Sequence, residues 1–193
     1  IRYSDGLGAA DNQIVYRETA RGVAQKYGIV VSFLPKVFEN AAGSGCHINL
    51  SLWQEDKNIT GDVKDKTGLS KTARSFIAGV LTHLPALTAL TLSTRNSFRR
   101  IRPHFWAGAF TAWGYDNREA AIRVSRGKAG ATRFELKAAD ASANPYLALG
   151  AMLAAGLDGI EKKLSLPPET NVDPALMTDA ERSSQQAYPL PAS

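Results

Sequence analysis

"RFELKAADASANPYLALGAMLAAGLDGIEKKL", residues 133–164, holds two periodicities back to back. In RFELKA (133–138), Arg133, Glu135 and Lys137 alternate with apolar residues, the period of a strand with one polar face. From Asn144 the pattern becomes a long run of small and apolar residues. Asn144 as N-cap and Pro145 in the first turn predict a helix over 144–164. The helix is suited to packing, and the polar strand face is left for chemistry.

Working outward, GSGCHINLSLW (43–53) repeats the alternation. His47, Asn49, Ser51 and Trp53 face one way, and Ile48, Leu50 and Leu52 the other, as expected of a sheet lining a cleft. Strands are also predicted at 29–34, 105–115 and 118–124. Residues 11–27 read as a helix with Asp11 as N-cap, Val15, Val23 and Tyr27 on its buried stripe and Gly28 as its stop. A second helix over 70–84 buries Phe76, Ile77, Val80, Leu81 and Leu84 before Pro85 interrupts it, and 86–92 can continue it. From 165 the chain is Pro-rich and polar. The class is α+β, with antiparallel pairing favoured because hairpin-like strand pairs outnumber strand–helix alternation.

The 193 residues fit one domain with a substantial core, and 44% hydrophobic with 21% charged residues is ordinary for a globular chain. A net charge of +5 permits nucleic-acid binding, but outside Arg95, Arg99, Arg100 and Arg102 the basic residues are interspersed with acids, so a solvated surface is the simpler reading. Cys46 is the single cysteine, which excludes an intrachain disulfide and points to a reducing, cytoplasmic setting. No apolar run of roughly 18 residues marks a membrane span. The start at Ile1 and the end at YPLPAS suggest a piece of a longer protein.

His47 and Glu135 sit on polar strand faces that could converge on a divalent cation, Mg²⁺ or Mn²⁺ by their donor types, although two ligands complete neither shell. Arg100, Arg118, Arg123, Arg133 and Lys137 form a second group suited to carboxylate or phosphate oxygens. NAAGSGC (40–46) lacks the Lys-Ser/Thr ending of a phosphate-binding P-loop, and its glycines suit close backbone approach to a ligand or an ordinary loop. These residues define an anion-binding cleft with room for a metal. They do not define a reaction.

The order of motifs does more. FLPKVFENAAGSGCHINLSLW, RNSFRRIRP, NREAAIRV and RFELKAADASANPYLALGAMLAAGLDGI resemble, in sequence and spacing, successive segments of the glutamine synthetase catalytic domain. The resemblance implies that family's fold, α+β with a largely antiparallel curved sheet flanked by helices. It also implies its chemistry: ATP phosphorylates the γ-carboxylate of L-glutamate, and an amine attacks the acyl phosphate. By this resemblance His47 and Glu135 are ligands of the ATP-side metal, and Arg100 holds glutamate. Arg118 and Arg123 neutralise phosphate, Gly43 lies at the amino-acid end of glutamate, and Asn49, Ser51 and Arg133 belong to the ATP site. Further metal-binding glutamates, a small N-terminal domain and a ring-shaped homo-oligomer are implied outside these residues, so the 193-residue chain by itself is expected not to turn over.

The departures from the family pattern are specific. Ala42 stands where the family has Asn, Asn49 where it has a second His, and Lys137 where it has Arg. Trp106 occupies the position of the loop glutamate that closes the site and helps deprotonate ammonium. An indole is no general base, but it can pack against an organic amine or cover its cation. The expected activity is therefore an ATP-dependent γ-glutamyl ligase of nitrogen metabolism favouring an organic amine, with no nucleic-acid or membrane partner. An ammonia-using synthetase and a non-catalytic scaffold are the alternatives.

Overall fold

The computed structural model describes residues 1–127 and 130–193. In chain order its elements are α1 (Gly6–Lys26), β1 (Ile48–Leu50), β2 (Trp53–Gln54), β3 (Lys57–Asn58), α2 (Lys71–Thr91), α3 (Arg95–Arg100), β4 (Phe110–Tyr115), β5 (Ala120–Ser125), β6 (Arg133–Leu136), α4 (Pro145–Glu161) and α5 (Asp179–Ser184). Four strands form one sheet in the order β1-β6-β5-β4, and β2 pairs with β3 in a small hairpin.

Register gives the sheet two chemically different faces. Leu136 stands between Ile48 and Ile122, and Phe134 between Leu50 and Val124. These side chains meet Phe76, Ile77, Val80 and Leu84 of α2 in the main core, where the Phe76 and Phe134 rings lie 5.5 Å apart. One residue out of phase, Glu135 stands between Asn49 and Arg123. A period of two puts that row on the opposite face.

Behind the sheet, α2 crosses α4 at backbone contact. A Cβ on Gly79 would lie 2.2 Å from the Ala155 carbonyl oxygen, and one on Gly159 would lie 2.2 Å from that of Ser75. The small-residue run of α4 is thus a packing surface. Asn144 caps it as expected, its side chain accepting from the N–H of Tyr146 and Leu147.

Several sequence expectations need correction. Asp5, not Asp11, caps α1, accepting from the Gly8 N–H at 2.9 Å, while Asp11 accepts from the Tyr146 hydroxyl at 2.6 Å. Val15, Val23 and Tyr27 are exposed; α1 buries only Ala10 and Ala24. Residues 29–34 form no strand, since β-branched propensity needs a partner edge and none adjoins them. Pro85 does not end α2, which runs on to Thr91 with burial on both sides of the proline. An 18-residue stretch of the 21-residue α2 reaches a mean hydropathy of 1.2, the length and composition of a membrane span and contrary to the sequence reading, but 61% of that stretch is buried in the core.

The strand predicted from 105 begins only at Phe110, because 103–106 form a turn. Antiparallel pairing holds for β1–β6 and β5–β6, but β4 and β5 run parallel although four residues join them. Asn117 fastens this tight return: its Oδ1 accepts from the N–H of Glu119 and Ala120, and its Nδ2 donates to the carbonyls of Thr170 and Val172. The polar tail also folds back, burying Ala187 and Leu190 against the strands.

The crossing of α2 and α4 yields a direct test. Gly79→Ala forces a methyl group against fixed backbone and should destabilise the fold by about 1–3 kcal/mol, read as a lowered urea midpoint with unchanged slope. An unchanged midpoint would mean that the helices separate without loss.

Candidate functional site

Strands β5 and β6, the residue before β1, the residue after β6 and one short helix supply the charged residues. Glu135, on the central strand β6, is 5% exposed. Its Oε2 accepts from Arg123 Nη2 at 3.0 Å across the ladder. Its Oε1 lies 3.5 Å from His47 Nδ1 and 3.8 Å from Lys137 Nζ. Burial raises the pKa of this carboxyl, but His47, Arg123 and Lys137 outweigh it and bring the pKa down from 4.5 to about 2. Lys137, 2% exposed, has its pKa lowered by burial first, with Glu135 opposing that shift.

Arg100 ends α3, whose start is fixed by a capping box between Thr94 and Ser97. Arg100 is 3% exposed. It donates to the carbonyls of Ala139 at 3.2 Å and Lys137 at 3.1 Å, and lies 3.2 Å from His47 Nε2. Burial lowers its pKa. Because a guanidinium only donates, His47 Nε2 accepts and the ring proton sits on Nδ1, toward Glu135. Two glycines make this possible. A Cβ on Gly43 would be 2.9 Å from Arg100 Cγ, and one on Gly45 would be 2.5 Å from Arg100 Nη2 and 2.9 Å from His47 Nε2. The backbone approach expected of this loop is made here to Arg100.

His47, Glu135, Arg100, Arg123 and Lys137 are therefore brought together, with Asn49 beside Glu135 in register. Arg133 is exposed at the start of β6 and borders a cavity of about 510 Å³, together with His47, Asn49, Arg17, Cys46 and Asp140. Burial raises the pKa of the Cys46 thiol, which keeps it a poor nucleophile. Ser51 accepts from Trp53 Nε1 at 2.9 Å. Arg118 is exposed on the β4–β5 connection and takes part in no ion pair among the described residues. Trp106 is 52% exposed on the 103–106 turn.

A divalent cation is tested by the donors present. Glu135 Oε1 is buried without a hydrogen-bond partner, and an imidazole nitrogen faces it. A carboxylate oxygen beside an imidazole nitrogen suits Mn²⁺, and Mg²⁺ less well. Coordination at Nδ1 requires the ring proton to move to Nε2 and Arg100 to turn away. No cluster of three or more His, Cys, Asp or Glu occurs among the described residues, so the pair supplies part of a shell.

Four residues that sequence reasoning passed over support the site. Lys36, buried, donates to the Ala41 carbonyl at 2.5 Å and lies 3.6 Å from the centre of the Phe105 ring. Asn96 clamps Lys36 through both backbone groups, at 2.6 and 2.8 Å. Asp140 accepts from the N–H and hydroxyl of Ser142 while its Oδ2 stays buried and unpartnered. Glu119 accepts from the N–H of His104 and of Trp106. Lys36 and Asn96 lie in PK and RNS segments already notable in sequence, but no spacing signals their contact.

The pattern described as glutamine synthetase, catalytic domain, matches residues 1–193. The chain is 44% identical over 189 residues to a protein named gamma-glutamylpolyamine synthetase GlnA3 from Streptomyces coelicolor, covering 96% of this chain and 41% of that protein. It is 40% identical over 191 residues to a glutamine synthetase of Clostridium saccharobutylicum, covering 99% and 43%. Among solved structures, one titled as a GmaS/ADP complex superposes with a TM-score of 0.85 at 33% identity, over all of this chain and 44% of its own. The chain thus spans about two fifths of the length of the relatives it matches.

The depressed carboxyl fixes a pH signature. Glu135 stabilises the fold fully above its ordinary pKa of 4.5, and that contribution is lost as pH falls toward about 2. The stability gap between the native chain and Glu135→Gln should therefore narrow as pH is lowered from about 5 to about 2. Chemical denaturation at a series of pH values measures it, and a gap independent of pH would contradict the ion cluster.

Proposed function

The chain belongs to the glutamine synthetase family through its catalytic domain, and from that premise we propose that the whole protein is an ATP-dependent ligase joining L-glutamate to an organic amine. The observation that carries the reading is Trp106, an exposed indole on a turn whose backbone N–H is held by the Glu119 carboxylate. Its sequence position is that of an acid in ammonia-using members. The gamma-glutamylpolyamine synthetase name of one relative supports an organic acceptor. Other relatives carry the plain glutamine synthetase name, which keeps ammonia as the competing acceptor.

In this reading His47 and Glu135 hold a divalent ion together with donors from outside these residues. Such an ion, Mg²⁺ or Mn²⁺, would when bound supply positive charge against the phosphates of ATP during phosphoryl transfer to the γ-carboxylate. Arg123 stands on the same carboxylate with its buried Nε unpartnered, within the charged face that phosphate oxygens would meet. Arg118 serves the same electrostatic role from the loop, while Asn49, Ser51 and Arg133 border the nucleotide. Lys137, Arg100 and Gly43 define the glutamate side. The neutral amine nitrogen then attacks the γ-carbonyl carbon, the bond from that carbon to the phosphate oxygen breaks, and the departing phosphate takes up the proton lost from nitrogen. A ring-shaped homo-oligomer and a cytoplasmic setting complete the proposal.

One observation favours a non-catalytic scaffold. Arg100, assigned to glutamate, is buried and already occupied by two carbonyls and His47. Against it, a buried Glu135 whose Oε1 has no hydrogen-bond partner and lies 3.5 Å from the more exposed His47 ring serves no packing purpose.

The deciding experiment gives the full-length protein ATP, L-glutamate and Mg²⁺ or Mn²⁺, with ammonium or a panel of alkyl, aryl and polyamines, and identifies the product by mass. At least one organic amine should exceed ammonium in kcat/KM by about tenfold or more, and Trp106→Glu should narrow that preference. Preference for ammonium sinks the organic-amine reading. Absence of turnover with any acceptor, with ATP still bound, establishes the scaffold.

A further inference from the structure

The turn before β4 is built from backbone conformations that ordinary side chains rarely adopt. His104 has φ 66° and Trp106 φ 55°, and neither is glycine. Such residues persist where their surroundings over-determine them. Here one carboxylate does so. Glu119 Oε2 accepts the His104 N–H at 3.2 Å, and Oε1 accepts the Trp106 N–H at 3.1 Å. An ionised acceptor makes both bonds stronger than neutral ones.

Glu119 is itself held from behind. Its own N–H donates to Asn117 Oδ1 at 2.9 Å, and Asn117 Nδ2 donates to the carbonyls of Thr170 at 2.7 Å and Val172 at 3.0 Å. The same C-terminal segment reaches the turn directly through Asp173, whose Oδ2 lies 3.0 Å from His104 Nδ1. Downstream of Trp106, Gly108 has φ 72°, and a Cβ there would lie 2.7 Å from Ala121 Cα and 3.2 Å from Lys137 Cβ. The turn is therefore pressed on β5 and on the residue that carries the Lys137 ammonium, while the indole between these anchors stays outside the core.

We propose that Glu119 is a positioning residue, its carboxylate holding the Trp106 backbone so that the indole stands at the acceptor-amine site. This rests on the organic-amine reading above. Glu119 does not touch the reacting atoms in this assignment. It acts through Trp106, and it does so from the RE pair of NREAAIRV, where the adjacent Arg118 carries the phosphate role.

The test uses the full-length protein with Glu119→Gln and Glu119→Ala, each made with and without Trp106→Phe. Subtracting each Trp106→Phe spectrum isolates the emission of Trp106 from that of every other tryptophan. Gln keeps one acceptor and places an NH₂ against the other N–H; Ala keeps neither. The Trp106 emission should shift to the red and become more quenchable by acrylamide in Glu119→Ala, with Glu119→Gln intermediate. The KM for the organic amine should rise about tenfold in Glu119→Ala while those for ATP and glutamate stay within about twofold. An unchanged Trp106 signal in both variants overturns the positioning role, whatever the acceptor is. A displaced indole with an unchanged amine KM keeps Glu119 as the anchor and sinks the assignment of Trp106 to the acceptor site. Glu119→Gln, nearly isosteric, carries the test should Glu119→Ala fail to fold.

Discussion

A carboxylate buried to 5% exposure is stable only with its charge answered, and Glu135 is answered by Arg123, Lys137 and His47 together. Lys137 follows Glu135 by two residues, Arg123 lies on the neighbouring strand, and His47 comes from a segment remote in sequence. The pairing of β1, β6 and β5 has to hold its register for all of them to meet, because a slip of one residue would turn the charged row into the core. Function and fold therefore bear on the same ladder: the row that would serve a metal and phosphates is one pleat away from the row that packs on α2.

Such a face needs firm support behind it. The core row of Leu136, Ile122, Phe134 and Val124 is fully buried, and α2 lies on it with α4 pressed against its far side at glycine contacts. Close packing of this kind transmits little slack to the sheet. The charged side chains around Glu135 are then held at separations of 3.0, 3.5 and 3.8 Å. Arg100 has the same rigidity from another source, since its donors are fixed by carbonyls of the chain that follows β6.

What was legible in the sequence follows a simple division. Alternation around His47 and Glu135 was visible because strand periodicity is local, and the placement of Arg100 and Arg123 nearby followed from the order of motifs. Asn96 and Glu119 were invisible as site residues because their partners are backbone groups many residues away, which leave no mark on local pattern, and Lys36 because Asn96 and Phe105, which hold it, are equally remote. Misreadings have the same origin. The apolar residues of α1 and of 29–34 resemble a buried stripe and a strand, but Val15, Val23, Tyr27, Ile29 and Val30 stay exposed. The proline in α2 is a helix breaker by local chemistry, overruled by burial on both sides.

By itself the sequence determined the α+β class, the polar strand faces, the small-residue helix and the family, because each is written in local periodicity or in contiguous motifs. Tertiary structure alone decided the rest. It decided that β4 and β5 run parallel across a four-residue link, since side-chain bonds of Asn117 to a distant segment hold the return. It decided that Arg100 faces carbonyls and His47, and that Trp106 stands exposed on a turn held by Glu119. These outcomes depend on contacts between residues remote in sequence, and such contacts exist only once the chain has closed on itself.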